Sequence, residues 1–443
     1  MGASGGTSKR RRRATAYDGP DLISGLDDDV LLRILGLLDA RHAARTDALS
    51  RRWRGLWTRV PALRFDSLYW PSIKKASAAD RYAAFVDTCL AQRAADQQTA
   101  AAAVEHLAIS FEMGRPTGIE VERAVSSSIV VAAQRWMRHA AERGVKSLVF
   151  KMDLPWYHGL DDTRRRWRTH EAVMVLDDIP SSAKLETMHL EITKACVHLP
   201  ATAVFASLTE LALLYMVLPE GGSHRLSRFV SSECCPHLQK LRLRHITRLK
   251  ELLVEAGALK ELSFESMEEG CYIDLRTPSL QVLQFLNLDG FGNRPHMLRI
   301  SAPRLEELMF DQLEGPDHII VDGDFPLLRN LTVFLRSHGC SDKDEYNDVA
   351  IRLLQCCTSL TCLEVDLHVT KEESRVDRIT GRIPHLPHVT SLTVDVFQME
   401  LHSFGYGLED ILANCNNLKY LYVDCRSVCT VSGYPIQFNQ IIC

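Results

Sequence analysis

A six-residue pattern of hydrophobic and polar positions recurs along most of the chain. In this repeat phrase, positions 1 and 6 are apolar, position 4 is leucine or its equivalent, and the other positions vary. The twelve occurrences begin at Val104, Val145, Leu185, Leu208, Leu238, Leu259, Leu280, Leu305, Leu328, Leu360, Val389 and Leu418. From Leu185 onward they lie 21 to 32 residues apart, and in five of them a proline stands two residues before position 1. Regular spacing of this kind predicts a repeat architecture.

Positions 4 and 6 of the phrase point to the same side of a short strand, because side chains alternate along a strand. Each unit therefore has an apolar side that only stacking on its neighbours can bury. The pattern resembles that of leucine-rich repeats. The resemblance predicts an α/β fold in which residues 104–430 form a solenoid with a curved parallel sheet, followed by a C-terminal tail over 431–443. Most units lack the Asn or Cys that many such repeats carry three residues after position 6, so their curvature is not predicted.

Two segments outside the phrases have apolar residues at helical spacing. They cover Ala78–Ala95 and Ile129–Arg143, and each predicts an amphipathic helix. The first helix lies in residues 67–103, which are expected to be a helical connector. Its apolar stripe is expected to pack the N-terminal module against the repeats.

Residues 18–66 form the N-terminal module and show a dense helical pattern. The spacing i, i+3, i+4 and i+7 is occupied by Leu31, Ile34, Leu35 and Leu38. Asp27 is placed to cap this helix. A second helix is predicted over Arg41–Leu49, and a third carries Trp53 and Trp57. Three short helices bury little surface by themselves, so part of the apolar surface is expected to face a partner or the next domain.

The same segment resembles an F-box, the module that docks F-box proteins on a Skp-type adaptor in Skp–cullin–F-box ubiquitin ligases. The matching elements are Asp21-Leu22-Ile23-Ser24-x-Leu26, Asp28-Asp29-Val30-Leu31-x-x-Ile34-Leu35-x-x-Leu38, Ala44-x-Thr46 and Leu49-Ser50-x-Arg52-Trp53-x-x-Leu56-Trp57. The Arg-Trp-x-x-Leu-Trp ending is typical of plant F-box proteins. The chain is thus similar to plant-type F-box proteins with leucine-rich repeats. One departure is Asp27, which stands where the family usually has proline.

The resemblance implies two sets of functional positions. The expected adaptor-facing residues are Leu26, Val30, Leu31, Ile34 and Leu35. The residues expected in the core of the module, or at its junction with the next domain, are Leu38, Leu49, Trp53, Leu56 and Trp57. Plain core packing is the alternative for all of them. It is the favoured interpretation for the two tryptophans, because large aromatic side chains usually hold a small domain together.

Composition and charge exclude some classes of protein. Of the 443 residues, 46% are hydrophobic and 24% are charged, which excludes wholesale disorder. The net charge of -4 excludes a chain that is strongly basic throughout. Basic residues do cluster in the tail over 1–17, which is expected to be disordered. There, Lys9, Arg10, Arg11, Arg12 and Arg13 form either a nuclear import signal or a solvated tail.

The N-terminal sequence, the apolar stretches and the cysteines indicate the cellular compartment of the protein. No apolar run follows the basic tail, so no secretory signal is predicted. The stretch Leu211–Leu218 is too short to span a bilayer, and no membrane association is expected. The 13 cysteines show no C-x-x-C spacing, and they are expected to be reduced and mostly buried. A nuclear or cytoplasmic location, or both, is the expectation.

Phrase positions 3 and 5 are expected to point outward from the sheet and to form a broad binding surface. Examples are His106, Lys240, Arg242, Glu261, Glu307, Thr393, Tyr420 and Tyr422. For any single one of them, a solvated strand residue is the simpler interpretation. Arg164–Arg168 mixes cations with an aromatic ring, as nucleic-acid sites do, although an exposed charged loop is the expected explanation.

No nucleophile elbow, phosphate-binding loop, dinucleotide motif or zinc-protease motif occurs in the sequence. No catalytic residue, metal or cofactor is therefore predicted. The resemblance implies a non-catalytic, substrate-recognition subunit of a ubiquitin ligase, with a Skp-type adaptor, and through it a cullin, as partners of the F-box. The repeats would hold an unknown target protein. The alternatives are a leucine-rich-repeat scaffold that acts outside any ligase and a nuclear factor associated with nucleic acid.

Overall fold

The computed structural model of the protein describes most of the chain in sixteen pieces. These are residues 23, 25–69, 76–95, 104–112, 119–154, 172–175, 183–193, 195–267, 271–286, 297–311, 318–321, 324–336, 346–369, 381–398, 405–431 and 434–442. Two stretches singled out in the sequence, Lys9–Arg13 and Arg164–Arg168, lie outside these ranges.

Seven α-helices and twenty strands occur in the described ranges. The helices are α1 Asp28–Gly36, α2 Ala40–Arg45, α3 Ala76–Ala95, α4 Ile119–Arg143, α5 Gly222–Phe229, α6 Tyr346–Cys356 and α7 Gly405–Asn414. The strands are β1 Ala62–Asp66, β2 His106–Glu112, β3 Ser147–Asp153, β4 Ala172–Val175, β5 Thr187–Ile192, β6 Ala195–His198, β7 Glu210–Leu214, β8 Lys240–Arg244, β9 Glu251–Val254, β10 Glu261–Glu265, β11 Tyr272–Arg276, β12 Val282–Leu286, β13 Met297–Ser301, β14 Glu307–Asp311, β15 His318–Val321, β16 Asn330–Arg336, β17 Cys362–Val369, β18 Ser391–Gln398, β19 Tyr420–Val431 and β20 Tyr434–Ile442.

One sheet dominates the molecule. Within the described residues it has fourteen strands in the order β1-β2-β3-β5-β7-β8-β10-β12-β14-β16-β17-β18-β19-β20. Neighbouring strands run parallel except at the end, where β20 pairs antiparallel with β19. Each of the twelve repeat phrases supplies one strand of this sheet, from β2 to β19. The predicted α/β class and the large parallel sheet are therefore confirmed.

The strand register follows the phrase. Position 4 of one unit pairs with position 4 of the next, so that Leu241, Leu262, Leu283 and Leu308 lie opposite one another on β8, β10, β12 and β14. At position 6 the rings of Phe264, Phe285 and Phe310 stack with centroids 5.1 Å apart. In-register stacking lets identical positions bury one another, as the period-2 pattern requires.

The sheet extends beyond both predicted boundaries. Strand β1 lies inside the segment assigned to the N-terminal module, and it pairs in parallel with β2. Its sequence Val60-Pro-Ala-Leu63-Arg-Phe65 fits the repeat phrase and was missed as a thirteenth occurrence. At the other end, β20 occupies residues that were expected to be a tail. The sheet thus begins within 18–66 and continues past 430.

Two smaller sheets accompany the large one. Strands β9, β11, β13 and β15 form a parallel sheet in the order β15-β13-β11-β9, and β4 pairs with β6. Each strand of the four-stranded sheet follows a phrase strand in the chain, so each middle unit contributes to both sheets. Helix α5 packs beside β9, where the hydroxyl of Ser227 accepts the N–H of Leu253 at 3.0 Å.

The connector helix α3 and helix α4 pack against each other and against the first strands. The indole N–H of Trp136 donates to Asp87 at 2.7 Å, which joins α4 to α3. The hydroxyl of Tyr82 on α3 lies 2.9 Å from the carbonyl of Ser110 and 3.2 Å from that of Phe65. The predicted helix over Ile129–Arg143 is longer than expected, since α4 begins at Ile119.

The N-terminal segment departs from the expected three helices. Helix α2 ends at Arg45 and is followed by one 3₁₀ turn, Thr46–Ala48. The expected third helix is replaced by turns and the 3₁₀ helix Leu56–Arg59. Gly55 precedes this 3₁₀ helix with φ at 71°, a left-handed conformation that a continuous α-helix cannot contain.

A single hydrophobic core joins the N-terminal segment to the repeats. It is continuous from Leu31 on α1, through Trp57 and the first strand, to Val423 on β19. The N-terminal segment is therefore packed on the sheet and shares its core.

Candidate functional site

Helix α1 presents two different apolar faces. Leu31 and Leu35 are completely buried, whereas Val30 and Ile34 are 41% and 39% exposed. Leu37, which follows the helix, is 74% exposed. The positions i, i+4 and i+7 place Val30, Ile34 and Leu37 on one side of the helix. We call these three residues the α1 surface.

The five residues expected to face an adaptor thus divide into two groups. Val30 and Ile34 are accessible, and Leu26 is half-buried. Leu31 and Leu35 belong to the core, which corrects the expectation that they face a partner. The reason is that the 3₁₀ helix Leu56–Arg59 packs against α1, and Leu31 and Leu35 join the core that contains Leu56 and Trp57.

The residues expected in the core of the N-terminal module or at its junction also fall into two groups. Trp53, Leu56 and Trp57 are buried, and Leu38 is half-buried against the core. Leu49 is exposed, which corrects its placement in the core or at the junction. Ile23, just before α1, is exposed as well. Five of the fifteen exposed large hydrophobic residues in the described ranges therefore fall between residues 23 and 49.

The start of α1 is held by two arginines. Asp28 lies 3.2 Å from the guanidinium of Arg52 and 3.4 Å from that of Arg59. Arg52 also donates to the carbonyl of Leu26. Asp27 is the N-cap residue, but its side chain makes no cap hydrogen bond, and its carbonyl instead accepts the N–H groups of Val30 and Leu31. These contacts fix the end of the helix from which the α1 surface begins.

Asp39 ties the helices to the large sheet. Its carboxylate accepts the N–H of Arg41 at 2.8 Å, which caps α2, and the N–H of Asp66 at 2.8 Å, at the end of β1. Burial raises the pKa of Asp39 above its ordinary value, although both backbone hydrogen bonds act in the opposite direction. One side chain thereby fixes α2 relative to β1.

Asp47 organises the turn that replaces the third helix. Its two carboxylate oxygens accept the N–H of Gly55 at 3.0 Å and the indole N–H of Trp57 at 3.2 Å. The buried indole therefore has its polar partner, and the turn is closed over the back of α1.

A second surface is the polar face of the large sheet, formed by odd phrase positions. None of the eight residues expected to point outward is buried. Between β3 and β12 this face holds a groove of about 630 Å³, whose charged lining is His189, Glu210, Lys240, Arg242 and Glu261. Lys240 pairs with Glu261 at 3.0 Å, and Arg242 pairs with Glu265 at 2.6 Å. Burial lowers the pKa of His189, which favours its neutral form.

The cysteines in the described ranges are mostly buried. Ten of them are free, and seven of these are buried. Burial raises the pKa of Cys89, Cys271 and Cys357 to about 12. A buried thiol with a raised pKa is a poor nucleophile.

No helix in the described part of the chain is both long and apolar enough to cross a membrane.

Sequence reasoning missed two residues of this region. Leu37 continues the Val30–Ile34 face by three residues, a signal that the spacing contained. No role was predicted for Asp39, and nothing in its neighbours indicated that it binds β1, 27 residues away.

Comparisons with known proteins bear on this region and on the repeats. No protein-family model matches the chain. A putative F-box protein of Arabidopsis thaliana is 23% identical over 417 residues, which cover 87% of this chain and 74% of that protein. An F-box/FBD/LRR-repeat protein of the same plant is 25% identical over 410 residues, covering 86% and 85%. A putative FBD-associated F-box protein, also of Arabidopsis thaliana, is 26% identical over 61% of this chain, which spans only 56% of that relative's length.

Over most of its length the chain is thus similar to plant proteins named as F-box proteins, one of them also named for leucine-rich repeats.

Proposed function

We propose that this chain is the substrate-recognition subunit of a Skp–cullin–F-box type ubiquitin ligase. The N-terminal segment would bind a Skp-type adaptor, and through it a cullin. The stacked repeat units would form a solenoid whose polar face holds a target protein. The chain itself would be non-catalytic, and it would act by raising the concentration of the target near the ubiquitin donor.

The α1 surface is the observation that carries the proposal. Val30, Ile34 and Leu37 stay exposed although the same helix buries Leu31 and Leu35 completely. Covering a large aliphatic side chain contributes about 1.5–3 kcal/mol, so an adaptor that covered all three would gain substantially. The buried face of α1 and the ion pairs of Asp28 with Arg52 and Arg59 position the helix before binding, so little ordering is needed.

The large sheet supports the second half of the proposal. Its polar face is continuous across the phrase strands, and the core beneath it is tightly buried. A rigid sheet that displays alternating charged and polar side chains can recognise a protein surface without changing shape. Location in the nucleus or the cytoplasm, or both, stays a prediction that rests on Lys9–Arg13 and on the reduced cysteines.

A pull-down with a purified Skp-type adaptor tests the proposal. We expect the wild type to capture the adaptor and the Val30→Asp/Ile34→Asp double variant to bind at least about ten-fold more weakly, because two carboxylates would be buried at the interface. Both positions are exposed, so the fold should survive the change.

Val204→Asp is the matched control, since Val204 is equally exposed but lies between β6 and β7. This variant should bind the adaptor as the wild type does. Equal adaptor binding by the wild type and the double variant would contradict the proposal. That result would favour the alternative of a leucine-rich-repeat scaffold outside any ligase.

A further inference from the structure

Within the described ranges, two tyrosines are the most exposed aromatic side chains on the polar face of the large sheet. Tyr420 and Tyr422 occupy phrase positions 3 and 5 of β19, and they are 71% and 48% exposed. Side chains two residues apart on a strand point to the same face, so both rings are presented together. Tyrosine combines an apolar ring with a polar hydroxyl, and protein interfaces are enriched in it. An uncovered pair of this kind indicates a docking surface.

The strands beside the tyrosines extend this surface. In the register of the sheet, Tyr422 lies opposite Thr393 on β18, and Thr393 lies opposite Glu364 on β17. The carboxylate of Glu364, which is half-buried, accepts the hydroxyl of Thr332 on β16 at 3.1 Å. We call Tyr420, Tyr422, Thr393 and Glu364 the tyrosine face.

The charge around the tyrosine face is negative. Positions 3, 5 and 7 of β16, β17, β18 and β19 hold four acidic residues and neither lysine nor arginine. The acidic residues are Glu364, Asp366, Asp395 and Asp424. Arg336 and Arg426, at position 9 of β16 and β19, offset two of these charges. Over residues 330–443 as a whole, fourteen Asp and Glu stand against nine Lys and Arg, so this end of the protein favours a basic partner.

The charged groove between β3 and β12 is a weaker candidate for the same role. Lys240 and Arg242 are already paired with Glu261 and Glu265, at 3.0 Å and 2.6 Å. A charged partner would have to displace one of these existing pairs, so its net gain is small. Selection of a partner by charge is therefore expected at the tyrosine face.

We propose that the tyrosine face binds a segment of the target protein that contains arginine or lysine. The cations stack on the rings of Tyr420 and Tyr422, and Glu364 accepts a hydrogen bond from one of them. Neighbouring strands lie about 4.8 Å apart, so Tyr422 and Glu364 are separated by roughly 10 Å, which three extended residues span. This proposal rests on the proposed function, since it names the class of target that the polar face holds.

Fluorescence anisotropy with labelled hexaarginine, in low salt and on the full chain, tests the proposal. The wild type should bind hexaarginine and should not bind hexaglutamate. Tyr420→Ala/Tyr422→Ala should weaken hexaarginine binding about ten-fold, because two cation–π contacts are lost. Tyr420→Phe/Tyr422→Phe keeps both rings and should bind within about two-fold of the wild type. Glu364→Gln should weaken binding about three-fold.

Two control variants change the same residue types elsewhere. Tyr272→Ala removes an exposed tyrosine from β11, and Glu409→Gln neutralises an exposed carboxylate on α7, within the same acidic part of the chain. Both should bind hexaarginine as the wild type does. Any of four results would overturn the proposal: no binding by the wild type, unchanged binding by the double alanine variant, equal losses in the phenylalanine and alanine variants, or an equal loss in either control.

Adaptor capture separates this proposal from the ligase role. The N-terminal segment packs at β1, and β1 and β19 lie near opposite ends of the large sheet. The tyrosine variants should therefore capture a Skp-type adaptor as the wild type does. A wild type that captured the adaptor without binding hexaarginine would contradict the tyrosine face alone. Binding of hexaarginine without adaptor capture would contradict the ligase role alone.

Discussion

At the scale of single residues, Asp39 shows how one side chain can position a whole module. It caps α2 and also accepts the N–H of Asp66, so it links the helices to the first strand of the sheet. The cost of burying its charge is partly offset by two backbone donors. A surface cap would have needed only one of these contacts.

This arrangement predicts a dependence of stability on pH. Because burial raises the pKa of folded Asp39, its stabilising contribution is fully present below the unfolded value near 3.8 and is lost as the pH rises through the folded value. Asp39→Asn does not titrate. We therefore expect the wild type to lose stability relative to Asp39→Asn between pH 4 and pH 7, as measured by urea unfolding. A constant difference across that range would show that the pKa of Asp39 is not raised in the folded state.

At the scale of the strand, the leucine at position 4 of the repeat phrase is buried to a different extent at the centre and at the end of the sheet. Leu262 on β10 is buried between two neighbouring units, whereas Leu421 occupies the same phrase position on β19 and is 47% exposed. Strand β20 pairs with β19 only from Val423 onward, so nothing in the described chain covers Leu421 from that side. The same phrase position is therefore expected to contribute unequally to the free energy of unfolding in the two strands.

Alanine substitution at the two positions measures this inequality. Leu262→Ala should lower the free energy of unfolding by about 2–5 kcal/mol, because it leaves a cavity between packed units. Leu421→Ala should cost clearly less, because water already reaches that side chain. Chemical denaturation of both variants checks the prediction, and equal losses would mean that the end of the sheet is as well covered as its centre.

At the scale of the whole molecule, the N-terminal segment and the repeats share one hydrophobic core. Leu31, Trp57 and Phe65 belong to the same core as the repeat leucines. Strand β1 pairs with β2 over five residues, and Tyr82 contacts a carbonyl of each strand. A boundary between the two parts cannot therefore fall after residue 66 without removing the first strand of the sheet.

Two truncated proteins test this boundary. A protein that begins at Val60 keeps β1, whereas one that begins at Ser67 exposes the backbone edge of β2. Each protein has one exposed sheet edge, but the shorter one also loses the buried side chains of Leu63 and Phe65, which leaves apolar surface uncovered. The shorter protein should therefore aggregate more in size-exclusion chromatography and melt at a lower temperature. Identical behaviour of the two would place the start of the sheet at β2, where the sequence alone had put it.

The sequence by itself determined the repeating strands, their register and the helical character of α1, because these follow from local spacing. A period of two places position 4 against position 4 along the entire sheet, and the i, i+3, i+4 pattern makes α1 helical wherever it packs. Even the thirteenth phrase, Val60–Phe65, was legible in the same pattern.

Only the tertiary structure decided which apolar residues of α1 enter the core. Val30 and Leu31 are adjacent and chemically alike, and the packing of the 3₁₀ helix Leu56–Arg59 on α1 accompanies the burial of Leu31 while Val30 stays exposed. The turn at Gly55 depends on Asp47, which binds residues eight and ten positions later. Burial and electrostatic potential depend on what lies across the fold, and that information is absent from local spacing.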